Sequence, residues 1–457
     1  MSLTIENNTA IIVHNNVYKD ARVRKGIRTL VSNDFEVDVF GLDTSNEVHN
    51  GSIDGSNSFE LSNPNNLMEG VLYSLFVRYK RASQLAKDAI IIGGATVFFL
   101  LVISIYNVFN MDTAVIFLVF SVIFYYLQNR IFRIIKSFII FPRSRMNKMS
   151  DALYEKVKLK KYKYIHCHDL IALDVGVRYK KRYPSVILIW DAHELYQDVT
   201  NITPQHKQYC EDVILSSIEF IDKFITINDS FSSIYKSRYP LLPKATVVMN
   251  ATRYDKEDVL TSKSPLRNAT NIDAEQKILL FQGGFSRSRG IEKLLEVAKT
   301  LSDEWSIVFM GWGTLEPVID RAAVTLNDRR PDNKPVIRVI PPASQSELRL
   351  WTSGATLGII PYEDTCLNHL YCTPNKLWEY PNSKVPVLAT GLVEIEKMVS
   401  KWKTGKLLPV DFSPEDINCA LNSITDDNLE VWRKHCLVFS EEMSWQKFEP
   451  NLLAVYI

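Results

Sequence analysis

Two successive series of short apolar runs, separated by stretches of helical or polar character, constrain this chain more than any other feature. In the first half the runs are Thr9–His14, Phe35–Phe40, Lys163–Cys167, Val186–Trp190, Lys223–Ile227 and Ala245–Met249, with a helical stretch near Arg22–Ser32 between the first two. In the second half they are Lys277–Gln282, Trp305–Met310, Val336–Ile340, Ala355–Ile360 and Pro386–Thr390. Apolar runs of strand length that alternate with helices point to βαβ units and parallel sheets. The chain therefore reads as α/β, with two domains joined by the polar stretch Ala251–Gln276. At 457 residues there is room for a full core in each. The Asn-, Ser- and Gly-rich tract Thr44–Asn66 reads as a surface loop, and Ser440–Tyr456 as a closing helix.

One segment breaks the soluble pattern. Ala89–Phe109 is almost wholly apolar, and Thr113–Leu127 repeats that character after a turn at Asn110–Asp112. A bilayer span needs about 20 such residues, so the first arm suffices and the second is short. Arg78, Lys80, Arg81 and Lys87 precede the pair; Arg130, Arg133, Lys136, Arg143 and Arg145 follow it. Basic flanks at both outer ends place both on the cytoplasmic side. A membrane hairpin, spanning or re-entrant, inserted within the first domain is the expectation, with a buried hairpin of a soluble core as the alternative.

A formal net charge of +1 gives no electrostatic case for nucleic acid. The six cysteines form no CxxC pair, which suits a reducing compartment, and the N-terminus carries no signal-peptide pattern. Neither GxGxxG nor a Walker lysine motif occurs, which argues against dinucleotide oxidoreductases and NTPases.

Where such sheets bind ligands, beyond the carboxyl ends of strands, stand Asn15 and Asn16 and the run Trp190–Tyr196 (WDAHELY). A histidine at His193 serves structure as readily as chemistry. The cluster His166-Cys167-His168-Asp169 is not read as a metal site, because no spacing supplies further ligands. In Thr373–Tyr380 (TPNKLWEY), Thr373 suits a helix cap and Pro374 the first helical position, with Pro381 as the stop. Free N–H groups at such a start favour a phosphate, and Glu379 one turn on is placed to accept ribose hydroxyls. A solvated surface helix is the plain alternative, weighed against a second phosphate-friendly stretch, Phe281–Gly290 (FQGGFSRSRG).

These pieces together resemble the retaining glycosyltransferases of the GT-B fold, family-4 type, in the branch that builds bacterial polysaccharides and glycolipids. The matching stretches are Asp20–Leu30 (DARVRKGIRTL), WDAHELY, Phe281–Ala298 (FQGGFSRSRGIEKLLEVA), Gly311–Gly313 (GWG), and CLNHLYCTPNKLWEY followed by PVLAT. The resemblance implies two Rossmann-like domains facing a cleft: 1–255 for the acceptor, with 88–140 as the inserted hairpin, and 256–440 for the nucleotide-sugar. A last helix, 441–457, crosses back to the first domain.

By the same resemblance Gly283, Gly284 and Gly313 line the donor site, Asn375 and Lys376 lie beside the phosphates, and Glu379 holds the ribose. Arg287 and Arg289 neutralise the leaving diphosphate, in place of a metal and without any cofactor. His193 lies near the transferred sugar, while Asn16, Asp20 and Arg22 fall on the acceptor side. The implied partners are a nucleoside-diphosphate sugar, a lipid-linked or polysaccharide acceptor and the cytoplasmic membrane face, with no nucleic acid. Two departures stand out. Tyr371 occupies the place of the first glutamate of the family's Glu-x7-Glu pair, leaving its work to a neighbour such as Asn368. Pro381 and Ser383-Lys384 interrupt a helix that relatives continue. A non-catalytic protein that binds a nucleotide-sugar, or that holds a partner enzyme as a scaffold of a glycan-assembly complex, or an epimerase on the same fold, is the alternative function.

Overall fold

The structure is a computed structural model that describes residues 7–43, 49–62, 142–255, 264–328, 330 and 334–457. The apolar segment read as a membrane hairpin lies outside the described residues. Among the described residues no helix is long and apolar enough to cross a membrane.

Two sheets form, each from one half of the chain. The first contains β1 (Asn8–Ile12), β2 (Glu36–Asp43), β3 (His49–Ile53), β4 (Ser56–Ser62), β5 (Tyr164–His168), β6 (Ile187–Ala192), β7 (Lys223–Thr226) and β8 (Ala245–Val247), in the order β3-β4-β2-β1-β5-β6-β7-β8. The second contains β9 (Lys277–Gly284), β10 (Trp305–Trp312), β11 (Ile337–Ile340), β12 (Leu357–Ile360), β13 (Val387–Thr390) and β14 (Gly405–Leu408), in the order β11-β10-β9-β12-β13-β14. Every pairing is parallel except β3 with β4. Buried runs such as Ile278–Phe281 and Ile307–Met310 are apolar on both faces because helices cover both sides of each sheet.

Strand order reverses at β1, between β2 and β5, and again at β9, between β10 and β12. Such switch points leave a crevice beyond the carboxyl ends of the strands. In the second sheet the crevice is built into the register. β12 pairs with β9 only at Leu279 and Leu280, so the backbone beyond is released early. The Tyr380 hydroxyl takes up the freed groups, accepting from the Gln282 N–H at 3.2 Å and donating to the Leu280 carbonyl at 2.8 Å. Loops at the carboxyl ends of the two sheets meet one another. The Leu195 N–H donates to Asn368 Oδ1 at 2.8 Å, Asn228 Nδ2 to the Tyr371 carbonyl at 2.9 Å, and Asn250 Nδ2 to Asn375 Oδ1 at 2.6 Å.

Four local expectations are corrected. The described part of Thr44–Asn66 is a hairpin rather than a loop: Asp54 and Gly55, with φ of 51° and 86°, form the tight turn that joins β3 to β4. Within the expected linker, Leu266–Thr270 is helical. The short edge strand β14 follows the expected last strand, paired with β13. Finally, the closing helix is broken. One helix, Asp426–Glu442, stays on the second domain, and a second, Trp445–Leu453, turns away at Met443–Ser444. The Trp378 indole N–H donates to the Met443 carbonyl at 3.0 Å and marks the break.

Beyond that break the chain returns to the first domain. Trp445, Leu452, Val455 and Tyr456 are buried with Ile11, Val23, Ile27 and Val37 in one apolar cluster. The Trp445 indole donates to Thr29 Oγ1 at 2.9 Å, and its backbone N–H to the Thr252 carbonyl at 2.8 Å. Truncating this anchor leaves a cavity and removes the bond from the indole to Thr29. Trp445→Ala is expected to cost about 3–5 kcal/mol in urea unfolding, with amide exchange over 445–456 accelerating towards that of surface loops. Unchanged protection there would show that the segment is held by something else.

Candidate functional site

On the first domain the site begins with Asp191, a buried carboxylate at the end of β6. Arg22 grips both its oxygens, Nε to Oδ2 at 3.0 Å and Nη2 to Oδ1 at 2.8 Å, and spends Nη1 on the Val248 carbonyl at 2.8 Å. Around Oδ2 gather His166 at 3.7 Å, His168 at 3.5 Å and His193 at 3.3 Å. Burial alone would raise the Asp191 pKa, but Arg22 and His193 hold it well below the carboxylate range. Burial in turn pushes His166 and His168 down, which keeps both neutral. His193 goes the other way. Burial lowers it, yet Asp169 and Asp191 together raise its pKa above the ordinary 6.5.

Asp169 sits 3.5 Å from His193 and 3.6 Å from His14, with φ of 65° at the start of the helix Asp169–Arg182. A left-handed aspartate costs on the order of 1 kcal/mol or more, and such strain gathers at functional sites.

His166, His168 and Asp191 bring ligand atoms within 4.8 Å of one another. The set does not suit a divalent cation, because Arg22 already neutralises Asp191 and a second buried charge would face a guanidinium.

On the second domain the loop after β9 carries the chemistry. Gly283 has φ of 117°, and a Cβ there would stand 2.8 Å from Lys376 Nζ, so only glycine admits both the turn and the lysine. Arg289 donates to the Gly284 carbonyl at 3.4 Å. Arg289 and Lys376 share the Tyr362 ring, 5.4 Å and 5.9 Å from its centroid, and neither is ion-paired among the described residues. Arg287 is exposed on the same loop. Gly313, with φ of 152°, meets backbone rather than open space; a Cβ there would lie 2.4 Å from the Phe285 carbonyl.

Next to this loop the helix Lys376–Asn382 differs from expectation at both ends. Asn375 is the cap position, and the Thr373 hydroxyl instead faces Asn228 Nδ2 at 3.4 Å across the cleft. Pro381 is inside the helix, where its missing N–H leaves out one bond in a helix of barely two turns. Glu379 projects from this helix and accepts from Gln282 Nε2 at 2.8 Å.

Between the domains lies a cavity of about 720 Å³ whose lining includes Arg24, Lys25, Asn250, Arg349, Asn375 and Glu379. Lys25 donates to Asn250 Oδ1 at 2.9 Å and to the Ala251 carbonyl at 2.5 Å. Although it keeps some contact with solvent, the protein around it brings its pKa down to about 7, burial first and the Arg22 charge next, against the pull of Glu379.

The structure thus brings Gly283, Gly284, Arg289 and Lys376 to one spot, with Asn375 and Glu379 on the adjoining cavity and His193 on a facing loop. The three acceptor-side residues do not form a group there. Arg22 is turned inward, only 4 % exposed. Asp20 Oδ1 caps the helix Ala21–Val31, accepting from the N–H groups of Arg22 and Val23 at 3.1 Å each. Asn16 caps the following turn through the Lys19 N–H at 3.2 Å and donates to Glu60 at 3.3 Å. Asn368 stands beside the His193 loop, its carbonyl oxygen taken by Leu195. Asp191 and Asp169 enter the sequence reading only within the stretches WDAHELY and His166–Asp169, and Lys25 and Gln282 only within longer matching stretches, none with a role of its own. Only a polar residue inside an otherwise apolar strand, as at Asp191 and Gln282, hinted at a role.

No protein-family model matches the chain, and no curated protein matches it either. Solved structures do match over nearly the full length. Sucrose-phosphate synthase from Thermosynechococcus elongatus superposes with a TM-score of 0.63 at 15% identity, covering 99% of this chain and 98% of that one. An E. coli structure described as trehalose-6-phosphate bound with UDP-2-fluoro glucose gives 0.62 at 10% identity, covering 98% of each chain. WaaG, a glycosyltransferase involved in lipopolysaccharide biosynthesis, gives 0.57 at 10% identity, covering 97% and 98%. The chain has the fold of these GT-B proteins, two Rossmann-like domains with parallel sheets.

The geometry also fixes a pH signature. Because His193 binds its proton more tightly folded than unfolded, its pairing stabilises the protein fully below pH 6.5 and is lost as pH rises through the raised value. Its titration followed by NMR should show a midpoint above 6.5, and Asp169→Asn should lower that midpoint; the same midpoint in the variant would remove Asp169 as a cause.

Proposed function

We propose that this protein is a glycosyltransferase that moves a sugar from a nucleoside-diphosphate sugar to an acceptor held at the cytoplasmic face of a membrane. The observation that carries the reading is the pair Arg289 and Lys376. Two cations share one aromatic ring beside a glycine backbone, with no ion pair among the described residues, one helical turn from Glu379. That is an arrangement for a diphosphate with a ribose attached. Held there, the two cations take up the charge that develops on the departing diphosphate, which fixed positive groups do without reorganising. The sugar then points towards the loop with His193 and Asn368, where the acceptor enters from the first domain.

The resemblance adds transfer with retention, the donor phosphate assisting attack from the same face. The apolar segment Ala89–Leu127 with its basic flanks supports a lipid-linked acceptor, since anchoring raises the effective concentration of a membrane-held substrate. Neighbours in the structural comparison include a complex described as bound with UDP-2-fluoro glucose and a protein involved in lipopolysaccharide biosynthesis, which agrees with this reading.

Calorimetric titration of detergent-purified protein with UDP, GDP, dTDP and CDP is the direct test. One nucleotide should bind saturably, and Glu379→Ala should weaken it by about 2–3 kcal/mol through lost charge-assisted hydrogen bonds. Absence of binding by folded protein would favour the scaffold reading, which the tyrosine at position 371 motivates. His193→Ala is expected to retain nucleotide affinity and lose transfer; a fully active variant would make His193 purely structural.

A further inference from the structure

Gln282 is the last inward-facing residue of an apolar strand segment, Ile278–Phe281, and is 2 % exposed. An amide at such a position costs free energy unless both of its ends are bonded. Both are. Thr352 Oγ1, itself fully buried, donates to Gln282 Oε1 at 2.8 Å, and Gln282 Nε2 donates to Glu379 Oε2 at 2.8 Å.

The direction of this relay follows from chemistry. A carboxylate only accepts, so it requires the NH2 end of the amide; the oxygen end then faces Thr352, whose hydroxyl supplies the proton. The glutamine backbone is fixed as well, through its N–H to the Tyr380 hydroxyl at 3.2 Å, on the same helix as Glu379. Strand and helix are therefore tied twice within one residue of Glu379, once through backbone and once through the carboxylate.

We infer that Gln282 is a positioning residue: backed by Thr352, it sets the Glu379 carboxylate at the angle that reads the sugar ring of the bound nucleotide. The inference rests on the donor site proposed above. One oxygen of Glu379 is bonded to Gln282 and the residue lines the cavity, and the acceptor sites left on its two oxygens are enough for the two hydroxyls of a ribose. A carboxylate released from the amide would swing among rotamers and still attract hydroxyls, but with no fixed geometry towards the 2′ position. Loss of Gln282 therefore removes discrimination between sugars more than it removes binding.

The test compares UDP with 2′-deoxy-UDP, and GDP with 2′-deoxy-GDP, on the full chain and on Gln282→Leu, Gln282→Glu, Thr352→Val and Glu379→Ala. The unmodified protein should prefer the ribose form of its nucleotide by roughly tenfold or more. In Gln282→Leu the two forms should bind alike, with a melting temperature lowered because the buried Thr352 hydroxyl loses its acceptor, and Thr352→Val should lose part of the preference. Gln282→Glu sets two carboxylates 2.8 Å apart in place of the present pair. They share a proton, so the ribose preference of this variant should rise as pH falls, while the preference of the parent shows no such trend.

A purely structural role would lower affinity for both sugars equally and give no pH trend in the preference between them. An unchanged ribose preference in Gln282→Leu, with the preference lost in Glu379→Ala, overturns the positioning role and leaves the donor site standing. Unchanged affinity and preference in Glu379→Ala overturn the donor site and this inference with it. Should Gln282→Leu fail to fold, the pH trend of Gln282→Glu decides between the two roles.

Discussion

The buried pair Arg22–Asp191 is the interaction on which the first domain's side of the cleft depends. Neither ion tolerates burial alone, and leaving one unpaired typically costs about 3–5 kcal/mol. The pair joins the helix after β1 to the end of β6 and, through Val248, to the chain leaving the first domain. It also places one carboxylate oxygen among three histidines, which is why His193 is held close to Asp191 on the wall of the cleft. Structure and chemistry are not separable at this carboxylate: the group that anchors the fold also sets the protonation of the histidine beside it.

The second domain solves a different electrostatic problem. Lys376 is buried and Arg289 half-buried, yet neither is ion-paired among the described residues, and they share the face of Tyr362. An aromatic face attracts cations, at roughly 0.5–2 kcal/mol each, without satisfying them as a carboxylate would. Loop and helix thus hold two positive charges side by side, and the glycine at Gly283 leaves room for the Lys376 side chain.

Much of this was legible in sequence because strand burial is written in composition. Runs such as KILLFQ and WSIVFM lie within the observed strands to within two residues. The stretch FQGGFSRSRG runs off the end of β9, and the helix of TPNKLWEY packs beside it, Glu379 bonded to Gln282 of that strand. Asp191 was less legible, since its partner Arg22 is far away in sequence and only the tertiary fold joins them. That long-range pairing also turned Arg22 from an expected acceptor contact into an internal one. Thr373 has good capping chemistry but was drawn off by Asn228 of the other domain, a competition no local rule registers. The Asp54-Gly55 turn was readable and was passed over because the polar tract around it looked like a loop.

The break at Met443–Ser444 carries a mechanical consequence. The chain passes between the domains once near Thr252 and again near Trp445, and the two passages are pinned to each other by a hydrogen bond of 2.8 Å. Two connections lying side by side define an axis, much as two knuckles define a hinge. Twisting or sliding of one domain over the other would shear that bond, whereas rotation about the axis would leave it whole. Of the movements open to two joined domains, rotation about that axis is the one that leaves this bond intact, and the contacts at Asn228, Asn250 and Asn368 are the ones it would part.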